Sequence, residues 1–247
     1  MPKRAISALF ATGLVFGLAS CSTYPQETVE GYFSALSETK PDQQLEATKY
    51  SAPGSLAEAY ALEQSAHAQA RLDGGSLVTV EQELFFERDE VHLCPLGIDV
   101  PRAEREMYCF VYSNFEVEDG RLVNFYAGKT SLEGRLALGE GEVSPIAELG
   151  TAEYLASYVT ISGDLVIILE ITSKIETLNI PSYDATYVSS SGRRAIQVSN
   201  VDGPFELKRD RVANVAFGFS GGELGGVLEL KFYGEDYNEI DVAIQTK

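Results

Sequence analysis

The sequence predicts an α+β unit followed by an all-β unit, and three observations carry this. Before residue 73, apolar residues recur at helical spacing: Val29, Phe33 and Leu36 sit at i, i+4 and i+7. From Ser76 the period changes to two, with Val78, Val80, Leu84 and Phe86 alternating with polar neighbours. Beyond residue 139 no helical stripe is found, only short strand-like runs separated by turn residues.

Taken in order, the chain opens with Lys3 and Arg4, a nearly continuous apolar run from Ala5 to Leu18, and small residues leading into Cys21. This is the n-region, h-region and cleavage layout of a secretory signal, and the apolar run is short for a permanent membrane span. Leu18-Ala19-Ser20-Cys21 also resembles the lipobox of bacterial lipoproteins. That resemblance implies cleavage before Cys21, lipidation of its sulfur, and an extracytoplasmic chain anchored to a bacterial membrane. Each buried methylene of such an anchor contributes about 0.8 kcal/mol, and two or more chains suffice for stable attachment. The alternative is a secreted chain that keeps an unmodified Cys21. Ser22 follows the cysteine, so the aspartate that holds some lipoproteins at an inner membrane is missing.

The chain has 247 residues, 45% of them hydrophobic, which suits one large or two small domains. Its net charge is −18, and loss of residues 1–21 removes two bases and no acid. Such a surface is repelled by nucleic acid, so nucleic-acid binding is excluded as an expectation. Apart from Cys21 only Cys94 and Cys109 remain, an even pair in two strand-like segments. In an oxidising compartment they are expected to form a disulfide, with reactive thiols or metal ligands as the alternative.

Thr23 to Gln26 fits a capping box ahead of the first helix, and Lys40-Pro41 breaks that helix. A short helical piece follows over Asp42 to Lys49. Ser55-Leu56-Ala57-Glu58 is a second capping box, opening a helix that Asp73-Gly74-Gly75 stops. Its Ala59, Leu62, Ala66 and Ala70 form a stripe of small residues suited to close packing on a sheet. Segments over Glu90 to Cys94, Glu106 to Val117 and Arg121 to Gly128 read as further strands, with an Asp119-Gly120 hairpin between the last two.

Three helices before a curled antiparallel sheet resemble the nuclear-transport-factor-2-like cone, also called SnoaL-like or ketosteroid-isomerase-like. Residues 29–36 (VEGYFSAL) and 119–126 (DGRLVNFY) carry the likeness, within a domain placed at 22–138. Residues 139–152, rich in Gly and Glu, read as a linker. The remainder, 153–247, shows strand-like runs over Tyr154 to Ile161, Asp164 to Ile171, Asp184 to Val188, Ala195 to Val198, Arg211 to Phe219, Gly226 to Phe232 and Glu239 to Gln245. These suggest an immunoglobulin-like β-sandwich, and residues 164–172, 212–217 and 226–232 resemble telokin-like domains of bacterial lipoproteins.

Chemistry is harder to find. Gly218-Phe219-Ser220-Gly221-Gly222 matches G-x-S-x-G, but the motif needs a helix after it and a later histidine. A strand-like run follows instead, and both histidines, His67 and His92, lie upstream. Gly128-Lys129-Thr130 ends like a phosphate loop, yet Val123 stands where its first glycine belongs. His92 with Cys94, and Asp236 with Asn238 and Asp241, fall short of metal-site patterns. No cofactor and no metal are expected.

The cone resemblance implies a pocket between helices and sheet. In the third helix Leu56, Tyr60, Glu63 and His67 share one face, which makes Tyr60, Glu63 and His67 the candidate ligand-binding residues. Glu63 with His67 reads either as a buried pair able to move a proton or as an i,i+4 surface pair. Three functions follow: a non-enzymatic envelope lipoprotein that binds a protein partner, a carrier of a small apolar ligand in the cone pocket, and an isomerase or cyclase using Glu63 and His67.

Overall fold

The computed structural model describes residues 26–76, 82–96, 109–181, 183–191 and 196–247. The lipobox with Cys21, the Thr23 capping box, Val78, Val80 and the excursion between Pro95 and Cys109 fall outside or largely outside those residues. Among the described residues no helix is long and apolar enough to cross a membrane.

The helices come first: α1 (Gln26–Leu36), α2 (Pro41–Leu45), a 3₁₀ turn (Glu46–Lys49) and α3 (Leu56–Asp73). Helix α1 buries Val29, Phe33 and Leu36 as its spacing predicts, and also Tyr32 and Ala35. Ser55 caps α3, its Oγ accepting from the Glu58 N–H at 3.1 Å. The Glu58 carboxylate reaches back to the Gly54 N–H at 2.6 Å, one residue beyond the usual reciprocal bond. At the far end the Gly74 N–H closes on the Ala70 carbonyl, and Gly75 takes the left-handed conformation that stops the helix.

A five-stranded antiparallel sheet follows, its strands adjacent in chain order: β1 (Gln82–Glu87), β2 (Glu90–Pro95), β3 (Phe110–Glu118), β4 (Arg121–Ala127) and β5 (Thr130–Ser131). Asp119 and Gly120 both have positive φ, as the tight hairpin between β3 and β4 demands. Within β3 the register shifts between Ser113 and Glu116 around Asn114, which sits at φ 52°. Such a bulge bends its strand, and the sheet is curled. Cys94 and Cys109 form a disulfide at the β2–β3 margin. The helices cover this sheet with an aromatic core in which Tyr32, Phe33 and Tyr60 each meet Phe125 edge-on at 5.2–5.7 Å. Each fully buried large apolar side chain of this kind contributes about 1.5–3 kcal/mol.

Two further antiparallel sheets share a second core. One orders β13 (Asn200–Asp202), β15 (Val212–Ser220), β9 (Asp164–Ser173), β8 (Gly150–Val159) and β6 (Leu136–Leu138), with β7 (Val143–Ile146) also on β8. The other orders β12 (Ile196–Gln197), β11 (Thr186–Val188), β16 (Val227–Tyr233), β10 (Thr177–Asn179) and β14 (Glu206–Lys208), with β17 (Glu239–Gln245) on β16. Alternation is clean in β16, where Leu228, Leu230 and Phe232 are buried and Glu229 and Lys231 exposed. Facing them, Tyr154, Ile167, Leu169, Phe217 and Phe219 complete a sandwich-like core.

The stretch 139–152 is not a linker. It contains β7 and the start of β8, both paired in the sandwich sheet, and that sheet begins at Leu136. Its glycines mark close strand contact rather than slack chain: a Cβ on Gly139 would lie 1.8 Å from the Tyr154 carbonyl oxygen, and one on Gly150 would lie 2.1 Å from that of Thr172.

Strand β9 is buried on both faces at Ile167, Ile168 and Leu169 because α3 lies across its outer side. There Ala66 and Ala70 pack on Ile168 and Ala216. Of the stripe of small residues, Ala66 and Ala70 thus meet the sandwich sheet, while Ala59 packs against the aromatic core and Leu62 stands exposed. Helix α3 turns its other side, with Ala57, Tyr60 and Ala61, to the aromatic core. Hydrogen bonds fix the arrangement. The Asn214 N–H donates to Asp73 Oδ2 at 2.7 Å, and Asn214 Nδ2 donates to the Ala66 carbonyl at 3.2 Å. Arg135 bridges the halves, donating to the Ala127 carbonyl on one side and, at 2.7 Å, to that of Val159 on the other.

Where α3 ends, Gly74 abuts Gly203 so closely that an added Cβ would stand 2.8 Å from the Gly203 carbonyl oxygen. Gly74→Ala should therefore destabilise the protein by about 1–3 kcal/mol, the ordinary cost of overpacking. At this chain length the melting temperature should fall by roughly 2–4 °C per kcal/mol, read by differential scanning calorimetry.

Candidate functional site

A pocket of about 380 Å³ opens where α3, the β2–β3 end of the curled sheet and strand β8 converge. Its apolar wall includes Leu36, Leu93, Phe110 and Val166, and α3 contributes one run of its polar wall. Tyr60, Glu63, His67 and Arg71 follow one another at spacings of three or four residues, so all four line it. The structure brings the three sequence-predicted residues together here. Leu56, expected on the same face, packs instead at the edge of the aromatic core.

Three phenols stand side by side. The Tyr60 and Tyr112 hydroxyls are 3.2 Å apart, and the Tyr60 ring meets the Tyr158 ring edge-on at 5.3 Å. Arg135 donates to the Tyr158 hydroxyl at 3.3 Å and lies 5.4 Å from its ring centroid. Burial pushes the Tyr112 hydroxyl up to about 12, against the lowering effect of the Tyr60 hydrogen bond. Burial likewise raises Tyr60 and Tyr158. All three are therefore neutral hydrogen-bonding groups at physiological pH.

Glu63 is 1% exposed, which overturns the surface-pair reading. Its Oε2 accepts from Gln64 Nε2 at 2.7 Å, while Oε1 has no hydrogen-bond partner in the protein. Burial raises the pKa of this carboxyl, partly opposed by His67, the Gln64 hydrogen bond and Arg71. His67 does not close a hydrogen-bonded pair with it, because their nearest atoms are 3.9 Å apart. The imidazole Nε2 instead meets Asp202 Oδ2 at 3.0 Å, across the junction with the sandwich sheet. That hydrogen bond is the main reason the Asp202 carboxyl titrates below its ordinary range.

Tyr112, Tyr158, Arg71, Gln44 and Asp202 are among the parts of this site that sequence reasoning missed. Arg71 was legible, since it extends the Tyr60, Glu63 and His67 stripe by one more turn. Asp202 comes from a three-residue strand and Tyr158 from the sandwich sheet, and no local pattern ties either to α3.

The other candidates fall away on geometry. His92 stacks on Phe85 at 4.7 Å and lies 3.2 Å from Glu90, while Cys94 is held in the disulfide. Ser220 ends β15, and the chain turns at Gly221 into β16 with no helix after it. Among the described residues no cluster of three or more His, Cys, Asp or Glu residues is arranged to hold a metal ion. No protein-family model matches the chain, and no curated protein sequence matches it.

A buried carboxyl with a raised pKa has a stability signature. Between 4.5, its ordinary value, and its folded value, the unfolded chain ionises while the folded one holds its proton, so stability falls as pH rises. Glu63→Gln removes that penalty and can still accept the Gln64 hydrogen bond. Thermal melts across pH should show the variant gaining stability over the parent near neutrality, with the gain fading below 4.5.

Proposed function

We propose that the protein is a lipid-anchored, extracytoplasmic lipoprotein of the bacterial envelope that binds a small, partly apolar ligand without transforming it. The observation that carries this is the pocket of about 380 Å³ at the junction of the two halves, within the range of small-molecule sites. It combines an aromatic and apolar wall with a few convergent polar groups, the common composition of such sites. This favours ligand binding over a protein-docking role alone. The pairing of His67 with Asp202 rather than Glu63 weighs against a proton-shuttling isomerase.

The N-terminal half is read as a nuclear-transport-factor-2-like cone. The order of three α-helices before a curled meander supports this. The C-terminal half is read as an immunoglobulin-like sandwich, supported by two antiparallel sheets that share one core. Anchoring through Cys21 rests on the signal-like segment and its lipobox resemblance. It would set the pocket close to a membrane surface, where apolar ligands are met.

Two experiments test the reading. Native mass spectrometry of the purified protein should detect a co-purifying mass that denaturation removes, and Ala68→Phe, which fills the pocket, should abolish it. A clean apo mass in the parent protein would count against a resident ligand. For the anchor, Cys21→Ser should move the chain from the detergent-rich to the aqueous phase in temperature-induced phase separation.

A further inference from the structure

Among the described residues, three side chains that line the pocket carry a buried atom with no hydrogen-bond partner: Gln44 Oε1, Glu63 Oε1 and Arg71 Nε. Buried polar atoms in folded proteins are ordinarily paired. Their concentration around one cavity marks the positions where a bound molecule supplies the missing partners.

The chemistry of the three atoms is specific. Arg71 Nε can only donate. Gln44 presents its oxygen, because its Nε2 is already given to the Glu38 carbonyl at 2.7 Å. Glu63 presents Oε1, because Oε2 holds the Gln64 amide. A ligand that completes all three needs an acceptor for Arg71, an N–H or O–H for Gln44, and, where Glu63 holds its proton, an acceptor for Oε1 as well.

Charge narrows the choice. A cationic head would face the Arg71 guanidinium, and an anionic head would face the Glu38 carboxylate in a chain of net charge −18. His67 does not tip this balance toward anions, since its Nε2 is engaged by Asp202. Burial also favours the uncharged form of Glu63, which suits a neutral neighbour.

We infer that the pocket recognises a neutral amphiphile whose polar head is a carboxamide, its carbonyl accepting from Arg71 Nε–H and its N–H donating to Gln44 Oε1. The apolar tail lies along Leu36, Leu93, Phe110 and Val166. This assignment rests on the ligand-binding reading of the pocket and adds the class of ligand to it.

The test uses three probes that share a tail and differ in head: pentanamide, pentanoate and pentylamine. Each is titrated at neutral pH against the full chain in lipid nanodiscs, with empty nanodiscs as the blank and affinity read by saturation-transfer NMR. The amide should bind at least tenfold more tightly than either charged probe. Arg71→Leu and, independently, Gln44→Leu should each erase that preference, and Ala68→Phe should abolish binding of all three. Equal or tighter binding of pentanoate or pentylamine overturns the carboxamide assignment while leaving a ligand pocket in place. If none of the probes binds more tightly to the parent than to Ala68→Phe, the assignment and the ligand-binding reading fall together.

Discussion

The burial of both long sides of α3 is the constraint on which the rest of the molecule depends. A helix that serves one core is ordinarily apolar on one stripe and polar on the other. Here one side supplies Ala57, Tyr60 and Ala61 to the aromatic core, and another sets Ala66 and Ala70 against Ile168 and Ala216 of the sandwich sheet. Side chains that small let the helix backbone approach the sheet closely. The approach is then fixed by the bonds from Asn214 to Asp73 and Ala66, and by glycine against glycine at the helix end.

The pocket follows from that geometry. With two sides of α3 occupied, the stretch between them carries Tyr60, Glu63, His67 and Arg71 into the angle left by the two halves. Burying a carboxyl is costly unless it is hydrogen-bonded or neutral. Glu63 meets that condition on one oxygen through Gln64, while burial favours its neutral form and Oε1 has no partner in the protein. The neighbouring phenols are held neutral by the same burial, so they offer hydrogen bonds without fixed charge. Asp202 and His67 form a separate polar contact across the junction.

Much of the architecture was legible because it rests on local signals. The Ser55 cap, the Asp119-Gly120 hairpin and the strand-like runs of β9, β15, β16 and β17 each depend on residues close in sequence, and each lies where those residues point. The failures were of two physical kinds. Strands of two to four residues, such as β5, β10, β13 and β14, are too short to display a period. Residues 139–152 misled for the opposite reason, since glycines needed for backbone contact with Tyr154 and Thr172 look like the glycines of a flexible tether. At the site, Tyr60, Glu63 and His67 could be grouped because a helix brings them together. Asp202 and Tyr158 arrive by tertiary packing, for which one sequence carries no local trace.

The disulfide between Cys94 and Cys109 has a consequence for timing. Pro95 and Phe110, the residues next to those two cysteines, both line the pocket, so the crosslink ties together one of its walls. Bonds of this kind persist in oxidising compartments and are rare where glutathione and thioredoxin keep thiols reduced. A chain still surrounded by reductant would carry an unstapled wall, and its cavity would take final shape only once the thiols had been oxidised.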